Sequence, residues 1–322
     1  MARHSAPDIT DRAGASAALV RPTKPLWLNL LRSLRPSQWT KNLIIFAALI
    51  FGQRLLDSTA VLTSVAAFAI FCALSGVVYL INDVADRHAD RQHPTKRHRP
   101  IASGAVPVPL AIGTATVLAF GSLTGAYLLR TEFGLVATGY LLLLALYSGP
   151  LKHVVIIDVL TIAVGFVLRA AAGAVVISVE IGHWLLIVTL LLALFLALSK
   201  RRHELVLLAD SARSHRRILQ EYSPYLLDQM ISVVTASTLV AYAFSTISPE
   251  VIAKFGTDKL GLTFPFPLYG IFRYLYLVHQ KEGGGSPADM LLNDRPLLAC
   301  VALWGIAVVL IIYGPAQLNP WN

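Results

Sequence analysis

The sequence predicts an all-α protein, a multi-span transmembrane bundle of about nine helices with its N-terminus in the cytoplasm. Three observations lead to this fold class. Of 322 residues, 56% are hydrophobic and 14% charged, and the mean hydropathy of +0.64 is far from that of a soluble domain. Apolar runs such as 60–81 and 154–178 reach the roughly 20 residues that a helix needs to cross the hydrocarbon core. Basic residues also alternate in density between successive connections.

The candidate spans are apolar stretches bounded by charge, Pro or Gly. They lie near 42–56, 60–81, 106–128, 133–149, 154–178, 184–198, 229–248, 264–279 and 296–314. Before the first span, residues 26–41 mix Trp27 and Trp39 with Arg32 and Lys41, which is typical of a helix in the membrane interface. Residues 1–25 have no apolar core, so we expect a disordered cytoplasmic arm, followed by a single transmembrane domain over 26–322.

The distribution of charge sets the topology. If the nine spans cross in order, the N-terminal arm and the even-numbered connections carry 21 of the 27 Lys and Arg residues. The positive-inside rule places that side in the cytoplasm of a multi-pass cell-membrane protein. Two cytoplasmic loops, 82–105 and 199–228, are long and mix acids with bases, so we expect the functional site there. A nucleic-acid-binding module would explain the net charge of +9 but not the spans, and is excluded.

An acidic motif, NDVADRHAD over residues 82–90, follows the second span. If the helix continues through it, Asp83, Asp86 and Asp90 lie within about 60° of one face. Three carboxylates at a membrane boundary repel one another and require a compensating cation. Together with Asn82 they offer hard oxygen ligands that suit Mg²⁺ shared with substrate phosphates. A solvated helix end is the alternative interpretation.

A basic stretch follows the acidic motif. It contains Lys96, Arg97 and Arg99, which could neutralise phosphate oxygens that the metal leaves uncovered. Lipid headgroups are the alternative partners of these bases. Acids beside bases predict a phosphate-bearing substrate. A transporter would instead place charge near the bilayer midplane, whereas these acids crowd one membrane face.

The motif NDxxDxxxD at 82–90, followed by RPxASG at 99–104, resembles the UbiA superfamily of intramembrane prenyltransferases, and the spans extend the resemblance over nearly the whole chain. The resemblance implies that the transmembrane domain is catalytic. It also implies that Asn82, Asp83, Asp86 and Asp90 hold Mg²⁺ and through it a diphosphate, with the three aspartates as catalytic residues.

The chain departs from most members where they carry a second aspartate-rich motif, after the sixth helix. Here the sequence is SKRRHEL at 199–205, in which Lys200, Arg201, Arg202 and Glu204 are expected to bind substrate. Glu204 and Asp210 are too far apart on a helix to form a compact acidic pair. A basic second site suits a substrate with additional phosphate. It counts against prenyl transfer from a prenyl diphosphate to an aromatic acceptor, which stays the alternative function.

Two further patterns, RPxQWxKN at 35–42 and SKRRxEL at 199–205, resemble the actinobacterial decaprenyl-phosphate phosphoribosyltransferase branch. This resemblance implies transfer of 5-phosphoribose from phosphoribosyl diphosphate to decaprenyl or another polyprenyl phosphate, in the supply of cell-wall arabinan precursors. The phosphate-binding bases are then expected among a set of Lys and Arg residues: Lys41, Lys96, Arg99, Lys152, Lys200, Arg201 and Arg202. Prenyl chain length stays open, and a homo-oligomer is compatible with the sequence.

A third element runs from Tyr147 through Lys152 into the fifth span, which contains Asp158 and Arg169. A spacing of eleven residues places that acid and that base on one helix stripe, facing the bundle or a wet cavity. Asp158, near the cytoplasmic end, is predicted to bind substrate. For the deeper Arg169 a structural ion pair is at least as good an interpretation. Tyr147 and Lys152 match family positions near the diphosphate. The glycine run 283–286 is predicted to be a flexible connection.

Overall fold

The computed structural model describes residues 25–94, 96–207, 221–281 and 287–314, and all regular elements in these ranges are helical. The expected all-α fold is confirmed. The α-helices are α1 Leu26–Ser33, α2 Ala47–Phe51, α3 Ser58–Ala85, α4 Arg87–Gln92, α5 Val108–Leu129, α6 Thr131–Ser148, α7 Ile157–Val176, α8 His183–Leu207, α9 Pro224–Ile247, α10 Pro249–Phe255, α11 Pro265–Gln280, α12 Pro287–Asn293 and α13 Arg295–Tyr313. Short 3₁₀ helices cover Pro36–Phe46, Lys96–His98, Leu151–His153 and Lys259–Thr263. The glycine run 283–286 and the predicted arm, apart from Pro25, lie outside the described residues.

Within the described ranges, seven helices are long and apolar enough to cross a membrane: α3, α5, α6, α7, α8, α9 and α13. The predicted count of nine is not confirmed. The expected span 42–56 is a 3₁₀ helix followed by the five-residue α2. The expected span 264–279 is α11, which has 16 residues and so a length of about 24 Å. Pro265 sets its start, and the polar residues from His279 onward set its end.

The two predicted cytoplasmic loops are shorter than expected because helices extend into them. α3 continues to Ala85, within the acidic motif, and α8 carries residues 199–207 on its last turns. α9 already begins at Pro224. Residues 208–220, including Asp210, lie outside the described ranges. The basic motif is therefore helical, and its spacing sets which side chains share a face.

Helices that follow one another in sequence pack side by side, from α3 with α5 through to α8 with α9. One apolar core joins α3, α6 and α7 around Phe71, whose ring contacts those of Phe133 and Tyr140 at tilted angles. A second core joins α8, α9 and α11 around Phe195 and Tyr274, with ring centroids 5.2 Å apart. Large buried aromatic rings contribute much of the packing energy of such cores.

Two glycines let the N-terminal segment approach the bundle. A Cβ on Gly173 of α7 would overlap the backbone of Ile45, and a Cβ on Gly76 of α3 would lie 2.7 Å from the Leu34 side chain. Because glycine has no Cβ, the segment that follows α1 lies directly against α3 and α7. This close approach brings Asn42 into the interior of the bundle and leaves Lys41 partly buried beside it.

Candidate active site

Asp83 is at the centre of a buried ionic cluster on the last turn of α3. Its side chain is 2% exposed, and Oδ1 accepts hydrogen bonds from Arg35 at 2.5 Å and from Arg99 at 3.2 Å. Arg99 also donates to Oδ2 of Asp90 at 2.7 Å. Two motif aspartates from different helices therefore converge on the same guanidinium. Asp83, Asp90 and Arg99, each of them a predicted site residue, therefore lie together in the structure.

The third aspartate, Asp86, does not join this cluster. α3 ends at Ala85 and α4 begins at Arg87, so Asp86 is the junction, with φ −86° and ψ 1°, and its side chain is exposed. The expectation of one continuous helix through Asp90 is wrong because this sparsely allowed conformation breaks it. In the described ranges, no three His, Cys, Asp or Glu side chains are grouped closely enough to hold a metal.

Arg35 is a residue that the sequence reasoning did not assign to the site. It joins α1 to the following 3₁₀ helix in a left-handed conformation, φ 53° and ψ 65°, immediately before Pro36. Its guanidinium carbon lies 4.7 Å from the centroid of the Tyr79 ring while it donates to Asp83. A left-handed non-glycine residue is strained, and such strain concentrates at functional sites. The sequence feature that could have indicated a role for Arg35 is its position directly after the amphipathic segment 26–34 and before Pro36.

Lys41 lies on the same 3₁₀ helix, one position before the first predicted span. The pKa of Lys41 is lowered to about 7, first by burial and then by the positive charges of Lys200, Arg169 and Arg35, while Asp289 acts in the opposite direction. Lysine amines lose their proton readily when desolvated beside other cations. Basic groups that are far apart in the sequence therefore lie near enough to Lys41 to disfavour its positive charge.

Arg169 lies within α7, and it is 7% exposed. It donates to Asn42 Oδ1 at 2.7 Å, to Tyr140 Oη at 2.5 Å and to the Gly165 carbonyl at 3.0 Å. Asn42 donates in turn to Ser75 at 3.5 Å, and Ser75 and Tyr140 are 3.0 Å apart. In the described part of the chain these hydrogen-bond partners are all uncharged, so the structural ion pair considered for Arg169 is not found.

A second ionic network ties together residues that we expected to bind substrate. Arg201, with a side chain 3% exposed, donates to Asp158 at 2.8 Å, to Glu204 at 2.6 Å and to Tyr147 at 3.1 Å. Asp158 also accepts from the Tyr222 hydroxyl at 2.8 Å. The network forms because α7 and α8 pack together, with the start of one beside the end of the other. These side chains satisfy one another rather than standing open to a ligand.

The same network holds an unusual turn. Ile156, just before α7, has φ 70° and ψ −43°, and its N–H donates to the Tyr222 hydroxyl at 2.8 Å. Burial, together with the bond to Asp158, raises the pKa of Tyr222 to about 12, so the hydroxyl keeps its proton. Tyr222 was not predicted, since no motif contains it.

The remaining predicted bases are at the periphery. Arg202 donates to Asp228 of α9 at 2.5 Å, and that carboxylate also lies 3.3 Å from His279. Lys96 is exposed on its 3₁₀ helix, and Lys152 is partly buried on another. None of the hydrogen bonds described for Arg202 reaches Asp83 or Asp90.

Comparison with known proteins decides the family. The profile of the UbiA prenyltransferase family matches residues 42–293. The chain belongs to the UbiA prenyltransferase family. A decaprenyl-phosphate phosphoribosyltransferase of Corynebacterium glutamicum is 32% identical over 307 residues, which cover 91% of this chain and 89% of that protein. Another, from Mycobacterium tuberculosis, is 33% identical over 300 residues, covering 90% and 97%.

Solved structures agree on the fold. A UbiA homolog from Archaeoglobus fulgidus, bound to DMAPP and Mg²⁺, superimposes with a TM-score of 0.68 at 20% identity, covering 87% of this chain and 99% of that one. The family and the seven apolar helices make this an integral membrane protein.

The oxygen atoms of the acidic motif in this UbiA family member are of the chemical type that binds a divalent cation. Asn82, Asp83, Asp86 and Asp90 supply amide and carboxylate oxygens, which hard cations prefer. Two of these carboxylates are nearly buried, and buried carboxylates require positive charge nearby. Arg35 and Arg99 meet that requirement here, so any cation at this site shares the carboxylates with the two guanidinium groups or displaces them.

Proposed function

We propose that this protein transfers 5-phosphoribose from phosphoribosyl diphosphate to decaprenyl phosphate and releases diphosphate. The observation that carries this proposal is the 32% and 33% identity to two decaprenyl-phosphate phosphoribosyltransferases over about nine tenths of the chain. The reaction would take place at the cytoplasmic face of the cell membrane, and its product would supply cell-wall arabinan synthesis. Residues 26–322 would form the single catalytic domain.

The acidic motif would bind the leaving group. Asn82, Asp83 and Asp90 would hold Mg²⁺, whose charge favours departure of the diphosphate, and Asp86, which is exposed at the junction of α3 and α4, would turn toward them when the ion binds. Arg99 lies between two of these carboxylates and is well placed to contact phosphate oxygens as a planar, bidentate donor. Arg35 is placed in the same way at Asp83. The two arginines would then neutralise carboxylates before the substrate binds and phosphate afterwards.

The acceptor requires positioning more than activation. A phosphate monoester is mostly ionised at neutral pH, with a second pKa of about 6, so its oxygen attacks ribose C1 without a strong base. In-line attack inverts the configuration at C1. Phosphate-binding bases would come from Lys41, Lys96, Lys152 and Lys200. The Asp158–Arg201 network, with Tyr147 and Glu204, would hold α7 and α8 in position around the site, while Arg202 is held by Asp228.

Prenyl transfer to an aromatic acceptor is the second candidate. It is favoured by the diphosphate DMAPP bound in the homolog from Archaeoglobus fulgidus, which shares the fold. The cluster Lys200–Arg202 counts against it, because these cations stand where a second acidic motif would bind another metal.

The test is transfer of radiolabelled ribose phosphate from phosphoribosyl diphosphate to a polyprenyl phosphate by purified protein in detergent. We expect labelled lipid with Mg²⁺, none with a chelator, and none in Asp83→Asn. An Arg32→Gln variant, changed at an exposed arginine of α1, serves as the control. Consumption of a prenyl diphosphate onto an aromatic acid, with no labelled lipid, would transfer the assignment to the second candidate.

A further inference from the structure

A groove of about 610 Å³ lies between α9 and α11. Its walls are mostly apolar, with Ile231 and Leu239 on α9 and Phe272 and Leu275 on α11. Phe272 is 56% exposed and Ala236, another lining residue, is also exposed, so the groove is open at the outer surface of the bundle. Because α9 is one of the helices able to cross a membrane, this surface faces lipid. The volume is in the range typical of ligand pockets.

One end of this groove is polar. Asp228 near the start of α9 and His279 near the end of α11 both line it, and Oδ1 of Asp228 lies 3.3 Å from Nε2 of His279. Arg202 of α8 donates to the same carboxylate at 2.5 Å. The groove therefore has an apolar body and one end with both signs of charge. This is the pattern expected of a binding site for an amphipathic lipid.

A buried hydroxyl in the groove lacks a partner. Thr235 lines the groove and is 7% exposed, yet its Oγ1 makes no hydrogen bond to any described residue. The hydroxyls of Ser232 and Thr238, about one turn away on either side, each donate to a backbone carbonyl of α9, at 2.8 Å and 2.7 Å. An unpaired hydroxyl in apolar surroundings is costly. Thr235 is thus available to donate to a polar group of a ligand in the groove.

The spacing of these polar groups fits the headgroup region of a glycerophospholipid. Thr235 follows Asp228 by seven residues, so the two share one face of α9 and lie about 10 Å apart along its axis. In such a lipid the ester carbonyls lie one glycerol unit below the phosphate, where they accept hydrogen bonds. An ethanolamine headgroup carries an ammonium for Asp228 and a phosphate for Arg202 and His279. A polyprenyl phosphate has neither the ammonium nor the ester carbonyl.

We propose that the groove between α9 and α11 binds one bilayer lipid of the phosphatidylethanolamine type. An acyl chain lies along Ile231 and Leu275, an ester carbonyl accepts a hydrogen bond from Thr235, and the headgroup ammonium binds Asp228. The site is separate from the acidic motif and does not depend on which reaction the protein catalyses. Because Asp228 also binds Arg202, the lipid contacts the residue that connects the basic motif of α8 to α9.

Lipid binding to the purified full-length protein tests the proposal. Native mass spectrometry in detergent would follow titrations with phosphatidylethanolamine, phosphatidylglycerol and a short-chain polyprenyl phosphate in separate arms. We expect one phosphatidylethanolamine molecule to bind at least tenfold more tightly than either of the other lipids. The three arms separate the headgroup chemistry from the general affinity of a membrane protein for hydrocarbon chains.

Two pairs of variants locate the site. Ala236→Trp fills the groove and should weaken phosphatidylethanolamine binding at least tenfold, whereas Val233→Trp, at a 65% exposed position that does not line the groove, should leave it unchanged. Thr235→Val should weaken binding about fivefold, the usual effect of one hydrogen bond. Thr238→Val is its matched control, because the Thr238 hydroxyl already bonds to its own helix.

Several outcomes would overturn this inference. Equal phosphatidylethanolamine binding by Ala236→Trp and Val233→Trp, or no retained lipid in the wild type, would exclude the groove as a lipid site. Tighter binding of phosphatidylglycerol or polyprenyl phosphate would refute the headgroup assignment. A two-chain mass without bound lipid, lost in Ala236→Trp, would show that a second copy of the chain covers the groove. If Ala236→Trp does not fold, Thr235→Val against Thr238→Val decides, since both changes are isosteric.

Discussion

Arg35 and Asp83, 48 positions apart in the sequence, form a 2.5 Å ion pair at the end of α3. The pair couples the interfacial helix α1 to the acidic motif, because Arg35 directly follows that helix and Leu34 packs against Gly76 of α3. The backbone of Arg35 has a positive φ, and the ion pair with Asp83 helps to offset the strain of that conformation.

Replacing Arg35 should reduce catalysis with little loss of fold. We expect Arg35→Gln to lower the rate of transfer by about a hundredfold, the usual effect of removing one preorganised donor to developing charge. The measurement is initial-rate kinetics at saturating Mg²⁺, with Arg32→Gln as the control. A rate within twofold of wild type would show that Arg35 only neutralises Asp83.

Breaking the Asp158–Arg201 pair should affect stability first. Arg201→Met leaves a fully buried carboxylate without its cation, which costs about 3–5 kcal/mol in proteins. Thermal unfolding in detergent should show a clearly lower midpoint. Arg54→Met is the matched control, because Arg54 pairs with Asp57 at the surface, where a pair contributes about 0–1 kcal/mol. Equal midpoints in the two variants would contradict the structural role of Arg201.

Relieving the turn at Ile156 should stabilise the protein. Its positive φ disfavours a β-branched residue, and its side chain is 47% exposed, so Ile156→Gly loses little burial. We expect a gain of about 1 kcal/mol in unfolding free energy, the order of the strain at such positions. Ile157→Gly, one residue later at the first position of α7, relieves no such strain and should instead lose stability, by less than about 1 kcal/mol. A loss in both variants would show that the Ile156 conformation is unstrained.

Stability should depend on pH through Lys41. Folding lowers the pKa of Lys41 from 10.5 to about 7, so the unfolded chain binds the additional proton between these values. Unfolding free energy therefore rises as pH increases from about 7 toward 10.5, by at most about 1.4 kcal/mol per pH unit. Lys41→Met should reduce that slope, measured by unfolding at several pH values. An unchanged slope would mean that other titratable groups cause the pH dependence of the unfolding free energy.

Several features could be predicted from local sequence because they depend on short-range patterns. Apolar runs predicted the spans that became α3, α5 and α7. The spacing of the acidic motif predicted that Asp83 and Asp90 lie close together, and both accept hydrogen bonds from Arg99, although the helix is broken between them at Asp86. The prediction of a membrane span at 42–56 was not confirmed, because an apolar run does not distinguish an α-helix from the 3₁₀ helix that packs on α7. The prediction that Asp86 lies beside Asp83 and Asp90 also failed, because the backbone conformation at Asp86 ends α3 and leaves its carboxylate exposed.

By itself the sequence determined the membrane class and the residues of the acidic motif, since composition and spacing are local properties of the chain, and its motifs showed the resemblance to the family. Tertiary structure alone decided the partners of the charged side chains. Arg35 pairs with Asp83 and Arg201 with Asp158, whereas Arg169 binds uncharged groups. The physical reason is that a buried charge is stabilised by whichever group lies within a few ångströms of it. That neighbour comes from helices far apart in sequence, and only the packing of the bundle brings them together.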